Sequence, residues 1–131
     1  MSWKVNQKEF NALIVLEPPK RYAYFIKKAI DFEEIWSLKN RDGWVLMGDD
    51  EGHQIIPVWP HSRYASACAV EEWADTKAEL ISLDDWMQKW LPGIEKDERL
   101  IAIFPVPSNK GIVVSPKRLK TDLEAELSLY E

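Results

Sequence analysis

The sequence contains little cysteine, histidine and glycine, and each shortage excludes a class of site. One cysteine among 131 residues excludes an internal disulfide framework and a four-cysteine zinc site. The two histidines and five glycines form no paired-histidine zinc motif, nucleophile elbow or glycine-rich phosphate loop. The sequence therefore gives no positive case for catalysis, and we expect no metal and no cofactor.

Long apolar runs and an excess of positive charge are missing as well. Residues 1–9 lack the apolar core of a signal peptide, and no apolar run in the sequence is long enough to span a bilayer. The formal net charge is −5, which makes nucleic acid a poor default partner. We therefore expect a cytoplasmic protein that binds neither nucleic acid nor membrane.

Basic residues nevertheless form two local clusters. These are Lys20, Arg21, Lys27 and Lys28, and then Lys117, Arg118 and Lys120. Both clusters fall on segments with helical periodicity, where a solvated charged face is a simpler explanation than a phosphate site.

Hydrophobic residues make up 46% of the chain, which is enough for one domain with one core. The seven tryptophans can fill such a core, although large rings are also favoured at interfaces. The periodicity predicts a single α+β domain over residues 1–131, with a mostly antiparallel sheet packed against about five helices. The predicted strands are a three-stranded meander (35–39, 44–47, 54–58), a short strand (79–82) and a C-terminal hairpin (100–104, 112–114).

The helical segments are marked by their apolar spacing and their caps. Tyr22, Phe25, Ile26 and Ala29 recur as on an amphipathic helix. A second helix is predicted from about His61 to Asp75. A third should begin after Ser82 and end at Pro92-Gly93, and Ser115 should cap the last helix.

Residues 54–65, QIIPVWPHSRYA, form the best candidate site. Pro57 cannot donate a hydrogen bond, so this strand lies at a sheet edge or is ending. His61 falls at the helix start, where a ring nitrogen could accept from a free backbone N–H. The candidate ligand- or partner-binding residues are Trp59, His61, Arg63, Tyr64 and Trp73. Among the tryptophans, Trp59 and Trp73 are the best candidates for partial exposure, with packing in the core as the alternative. The alternative is that this corner, where the strand of residues 54–58 turns into the following helix, is purely structural.

Two other arrangements are interpreted as structural. On one helix, Cys68 and His61 would lie about 10 Å apart along the axis, too far for a thiolate–imidazole pair. The small neighbours of Cys68 favour packing against the sheet. The acidic segment 49–53 lacks the spaced oxygen ligands of a calcium loop and is typical of a solvated hairpin turn.

Five short segments occur in a distinctive order. They are Lys20-Arg21-Tyr22-x-Tyr24-Phe25, Asp42-Gly43-Trp44, Pro57-Val58-Trp59-Pro60-His61 with Tyr64-Ala65, Lys89-Trp90-Leu91-Pro92-Gly93, and Val113-Val114-Ser115-Pro116. Together they resemble a bacterial family catalogued as domain of unknown function 2750. The resemblance implies a small cytoplasmic single-domain protein and brings no known activity or site residue with it. The order of elements is also similar, without a shared motif, to the proteins linked to enhanced serine sensitivity.

Two functional hypotheses follow. The first is a non-catalytic protein-interaction module, a stress or immunity-type adaptor, whose surface centre is Trp59, His61 and Tyr64 with Trp73. The second is a small-molecule binding protein or enzyme in which His61, Arg63 and Tyr64 hold an anionic ligand. Homodimerisation through exposed aromatic residues is compatible with either hypothesis.

Overall fold

The computed structural model describes residues 3–130. Met1, Ser2 and Glu131, which belong to the predicted 1–131 domain, lie outside the described residues. The helices are α1 (Gln7–Ile14), α2 (Pro18–Phe32), α3 (Ser62–Ala67), α4 (Leu83–Asp85), α5 (Leu91–Lys96) and α6 (Pro116–Leu127). The strands are β1 (Glu34–Asn40), β2 (Gly43–Trp44), β3 (Met47–Gly48), β4 (Gln54–Val58), β5 (Lys77–Ser82), β6 (Leu100–Ile103) and β7 (Ile112–Val114). Single 3₁₀ turns occupy Glu71–Trp73 and Ser128–Tyr130.

The strands form two sheets, one with the order β2-β1-β5 and one with the order β3-β4-β6-β7. β4 and β6 run parallel, and the other neighbouring strands are antiparallel. The two sheets meet where Trp36 and Trp59 exchange backbone hydrogen bonds of 2.9 and 2.8 Å. The α+β class predicted from periodicity is therefore confirmed, with the strands divided between two sheets.

The predicted three-stranded meander is not formed as one sheet, and its strands instead form two hairpins. β1 pairs with β2 through Lys39 and Trp44, whereas β3 pairs with β4 through Met47 and Ile55. The middle strand of the meander is interrupted at residues 45–46. Its two halves consequently join different sheets.

α2 has the predicted amphipathic character, but its buried face includes a charge. Phe25, Ile26, Ala29 and Ile30 are buried together with Arg21, which is only 2% exposed. The prediction of a solvated basic face is therefore wrong at Arg21. Arg21 faces the interior together with the apolar stripe, so it does not share a surface with the other basic residues of its cluster.

The helix predicted to run to Asp75 is much shorter. α3 ends at Ala67, and Val70 has extended backbone dihedrals. Glu71 then has a left-handed φ of 54°, which a continuous right-handed helix does not permit. Trp73 consequently lies in a separate turn and not on the apolar stripe of α3.

The helix predicted to stop at Pro92-Gly93 instead continues to Lys96. A π-helical turn, Trp86–Trp90, joins α4 to α5. In that turn the Leu91 N–H bonds to the Trp86 carbonyl, and the widened turn accommodates Pro92, which has no N–H to donate. With this run counted as one helix, the described residues contain five helices, in agreement with the prediction.

Buried side chains from both sheets and from helices α1 to α6 form one hydrophobic cluster. The largest fully buried members include Trp59, Trp86, Tyr64, Phe25 and Phe104. The cap predictions are confirmed, since the side chains of Ser82 and Ser115 accept backbone N–H bonds at the starts of α4 and α6. This core fixes the segments that follow β4 and β6, where the candidate residues lie.

Candidate functional site

His61 caps the N-terminus of α3. Its Nδ1 accepts a hydrogen bond from the Arg63 N–H at 3.0 Å, which confirms the prediction for a histidine at this helix start. Because Nδ1 accepts, the ring hydrogen is on Nε2, which donates to the Trp3 carbonyl at 2.6 Å. Both ring nitrogens therefore bond to backbone groups of the chain itself.

Arg63 holds the N-terminal segment against the same corner. Its Nη1 donates to the Val5 carbonyl at 2.6 Å, and its Nη2 donates to the Gln7 side-chain oxygen. The guanidinium also lies 4.7 Å from the centre of the Phe10 ring. His61 and Arg63, two groups of the predicted anion site, thus bond to the N-terminal segment of the same chain.

The hypothesis that Trp59 is partly exposed is wrong, because its side chain is completely buried, and the alternative, packing in the core, is confirmed. The chain continues as a bridge to Trp36 after β4 ends, and the indole of Trp59 lies in the core. There its Nε1 donates to the Pro105 carbonyl at 2.7 Å. β4 lies between β3 and β6 and is not an edge strand; Pro57 lies one residue before its end, as the alternative of an ending strand predicts.

Tyr64 is also buried and connects three aromatic rings. Its ring stacks on Phe10 with centres 5.7 Å apart and packs 4.7 Å from Phe104. Its hydroxyl lies 3.2 Å from that of Tyr24. Burial raises the pKa of Tyr64 to about 12. Trp59, His61 and Tyr64 therefore form an interior corner and present no aromatic surface.

Trp73 is the candidate that reaches the surface, and it does so in a cleft outside the corner. The cleft has a volume of about 500 Å³, within the range of protein ligand pockets. One wall is formed by Cys68 and residues 70–73 and the other by residues 105–110, and Met47 also lines the cleft. Val70, three residues before Trp73, is 48% exposed.

The cleft depends on a strand pairing that the sequence reasoning missed. Its walls follow the carboxyl ends of β4 and β6, which pair in parallel from Ile55 with Leu100 to Val58 with Ile103. Segments that leave the carboxyl ends of adjacent parallel strands often enclose a binding crevice. The burial of β6 on both faces was a usable signal, because it is typical of parallel strands.

Arg21 fixes the second wall of the cleft from inside the protein. Its Nε donates to the Phe104 carbonyl at 3.0 Å, and its Nη2 donates to the Asn109 Oδ1 at 2.8 Å. Its Nη1 donates to the Leu16 carbonyl at 2.5 Å. Burial lowers the pKa of Arg21 from its ordinary value. The loop from Phe104 to Asn109 is thus attached to α2 at both ends.

Cys68 lies at the base of the cleft and is buried, as predicted. Its thiol donates to the Pro105 carbonyl at 3.4 Å. Burial raises the pKa of Cys68 to about 11, so the thiol stays protonated near neutral pH and is a poor nucleophile. Cys68 and His61 bond to different partners, in agreement with the prediction that they do not pair.

Carboxylates line the cleft and a depression next to it. Glu71 and Glu72 lie on the first wall. A polar depression is lined by residues 48–51, and Lys110 lines both the cleft and the depression. In the depression, Asp49 accepts the His53 N–H at 2.8 Å, and this bond holds the pKa of Asp49 below its usual value.

Between residues 3 and 130, no three side chains of His, Cys, Asp or Glu are grouped so as to hold a metal ion. In the same part of the chain, no helix combines the length and the apolar character needed to cross a membrane.

The sequence matches the family described as "Protein of unknown function (DUF2750)" over residues 22–123. The chain belongs to this family. The resemblance inferred from the five segments is thereby confirmed. No curated protein matches the chain, and the similarity of element order to the enhanced serine sensitivity proteins stays an expectation.

The DUF2750 match contains both walls of the cleft and all five predicted site residues. The N-terminal segment that His61 and Arg63 hold, from Trp3 to Gln7, precedes it. The family description names no activity, so we derive a function from the geometry of the cleft.

Proposed function

We propose that this DUF2750 protein is a non-catalytic protein-interaction module that binds an extended segment of a partner protein in the cleft between residues 68–73 and 105–110. The observation that carries the proposal is the pair Val70 and Trp73, which stay accessible in the cleft wall. Pro105, Val106 and Pro107 line the same cleft. Val70 is exposed and Trp73 is half-buried, and accessible apolar side chains in a cleft are typical of protein-binding surfaces.

The polar groups near the cleft support binding over catalysis. The thiol of Cys68 is protonated by burial and bonded to a carbonyl. The imidazole of His61 bonds to Trp3 and Arg63 and does not line the cleft. General acid–base catalysis needs a titrating group within hydrogen-bond reach of a bound substrate, and neither group is placed for that role.

The proposal keeps one residue of the predicted surface and replaces the others. Trp73 remains a partner contact, whereas Trp59, His61 and Tyr64 support the fold from the interior. No contact favours the anionic-ligand alternative at His61, Arg63 and Tyr64, because their polar groups bond to Trp3, Val5, Gln7 and Tyr24.

The proposal is tested by selecting binders from a displayed library of random peptides and measuring their affinity by calorimetry. We expect Trp73→Ala to lower the affinity for the selected peptides by at least about tenfold, as is usual for a tryptophan at the centre of an interface. Val70→Ser should lower this affinity as well. Leu80→Ser is the matched control, because Leu80 on β5 is also 48% exposed and does not line the cleft.

Loss of binding in the cleft variants with retention in Leu80→Ser would support the proposal. Either a library that yields no binder, or binders that tolerate both cleft substitutions, would overturn it.

A further inference from the structure

The charges around the cleft indicate which kind of segment it accepts. The cleft and the adjoining depression are lined by five carboxylates, Asp49, Asp50, Glu51, Glu71 and Glu72, and by one ammonium group, Lys110. Glu71 and Glu72 are exposed on the first wall, and the other three lie in the depression beyond Lys110. The cleft therefore combines apolar lining residues with carboxylates, and further carboxylates line the depression next to it.

We infer that the cleft binds a segment with an apolar side chain flanked by lysine or arginine residues. This inference rests on the proposed function and specifies its partner. An apolar anchor would contact Val70 and Trp73, while cationic side chains on either side would approach Glu71 and Glu72 and the depression. Complementary charges at an interface rim determine selectivity and association rate more than they determine total affinity.

The carboxylates of the cleft and the depression differ in how freely they can meet a ligand. Asp49 already accepts the N–H groups of Glu51 and His53 and contacts the His53 ring at 2.9 Å. Asp50, Glu71 and Glu72 are exposed. Glu71 and Glu72 are therefore the pair to substitute, because their loss leaves the hydrogen-bonded turn around Asp49 unchanged.

The test uses three blocked peptides with the same central Leu-Trp pair, flanked by lysines, by glutamates or by serines. We expect the lysine peptide to bind tightest and the glutamate peptide weakest. The double variant Glu71→Gln/Glu72→Gln should lower the affinity for the lysine peptide by about two- to thirtyfold, the range for two exposed charge pairs. It should leave the affinity for the serine peptide unchanged.

The matched control is the double variant Glu95→Gln/Glu124→Gln. It alters the net charge equally, at exposed positions on α5 and α6. Added salt should weaken only the lysine peptide in the wild-type protein, because exposed charges are screened. Equal effects of the two double variants would mean that net charge alone acts, and would overturn the inference.

The outcomes separate the inference from the proposed function. If none of the three peptides binds, the proposed function fails with the inference. If the serine peptide binds as tightly as the lysine peptide, the cleft binds segments without charge selection and only the inference fails. A concentration-dependent dimer in sedimentation that Trp73→Ala abolishes would assign the cleft to a second copy and overturn the inference.

Discussion

Three neutral acceptors surround the buried guanidinium of Arg21, namely the carbonyls of Phe104 and Leu16 and the side-chain oxygen of Asn109. A buried cation is costly unless its donors are satisfied. The hydrogen bonds from Arg21 to Phe104 and Asn109 attach the loop after β6 to α2. Phe104 itself has a left-handed φ of 55°, which is unfavourable for a bulky residue. Arg21 thus helps to hold a strained residue at the base of the cleft wall.

Arg21→Met should lower the free energy of unfolding by about 2–4 kcal/mol, because each buried acceptor left unpaired costs about 1–3 kcal/mol. Urea denaturation of the variant measures the change. Arg41→Met is the control, since Arg41 is exposed in the turn between β1 and β2, and we expect a change within about 0.5 kcal/mol. Equal changes in the two variants would show that the buried contacts of Arg21 contribute nothing.

At the scale of elements, the loop between β6 and β7 rejoins the sheet where two backbone segments approach closely. Gly111 ends this loop with a φ of +78°, and a Cβ at this position would lie 2.3 Å from the Ile103 carbonyl oxygen. Ile103 pairs with Ile112 in the β6–β7 hairpin. Only glycine therefore permits the loop to rejoin the sheet and leave Lys110 beside the cleft.

Gly111→Ala should lower the free energy of unfolding by at least about 2 kcal/mol, since the strained φ and the backbone clash act together. Gly93→Ala is the matched control. Gly93 lies in α5, and nothing lies within 4 Å of its added Cβ. That variant should gain about 0.5–1 kcal/mol from helix propensity. A Gly111→Ala variant as stable as wild type in urea denaturation would contradict the geometry.

At the scale of the whole molecule, burial determines how the protein responds to alkaline pH. Burial raises the pKa of Cys68 from 9.0 to about 11 and that of Tyr64 from 10.0 to about 12. In the unfolded chain both groups lose their protons first. The free energy of unfolding is therefore unaffected below about pH 9 and falls as the pH rises from 9 towards 12.

Cys68→Ala should reduce the part of this loss that occurs between pH 9 and about 11, the window of the Cys68 shift. Over that window, we expect the free energy of unfolding of Cys68→Ala to fall by about 1–2 kcal/mol less than that of the wild-type protein. The measurement is urea denaturation at pH 8 and pH 11, that is, about one pH unit below the window and at its upper end. An unchanged pH dependence in Cys68→Ala would show that the thiol is not protected by burial.

Local sequence rules predicted the elements well, and failed where distant segments decide burial. The His61, Ser82 and Ser115 caps depend on groups two or three residues away, so they could be predicted. Trp59 was a candidate for partial exposure, yet Pro105, 46 residues later, provides the acceptor that allows its burial. The spacing of residues within one segment carries no information about such a partner.

The sequence by itself determined the α+β class, the boundaries of β4 and the start of α3, because apolar spacing, prolines and caps act within a few residues. Only the tertiary structure decided the parallel pairing of β4 with β6, the burial of Trp59 and Arg21, and the cleft beside Trp73. These features depend on contacts between segments far apart in the chain. Their free energy comes from burial and hydrogen bonds that form only when the whole core assembles.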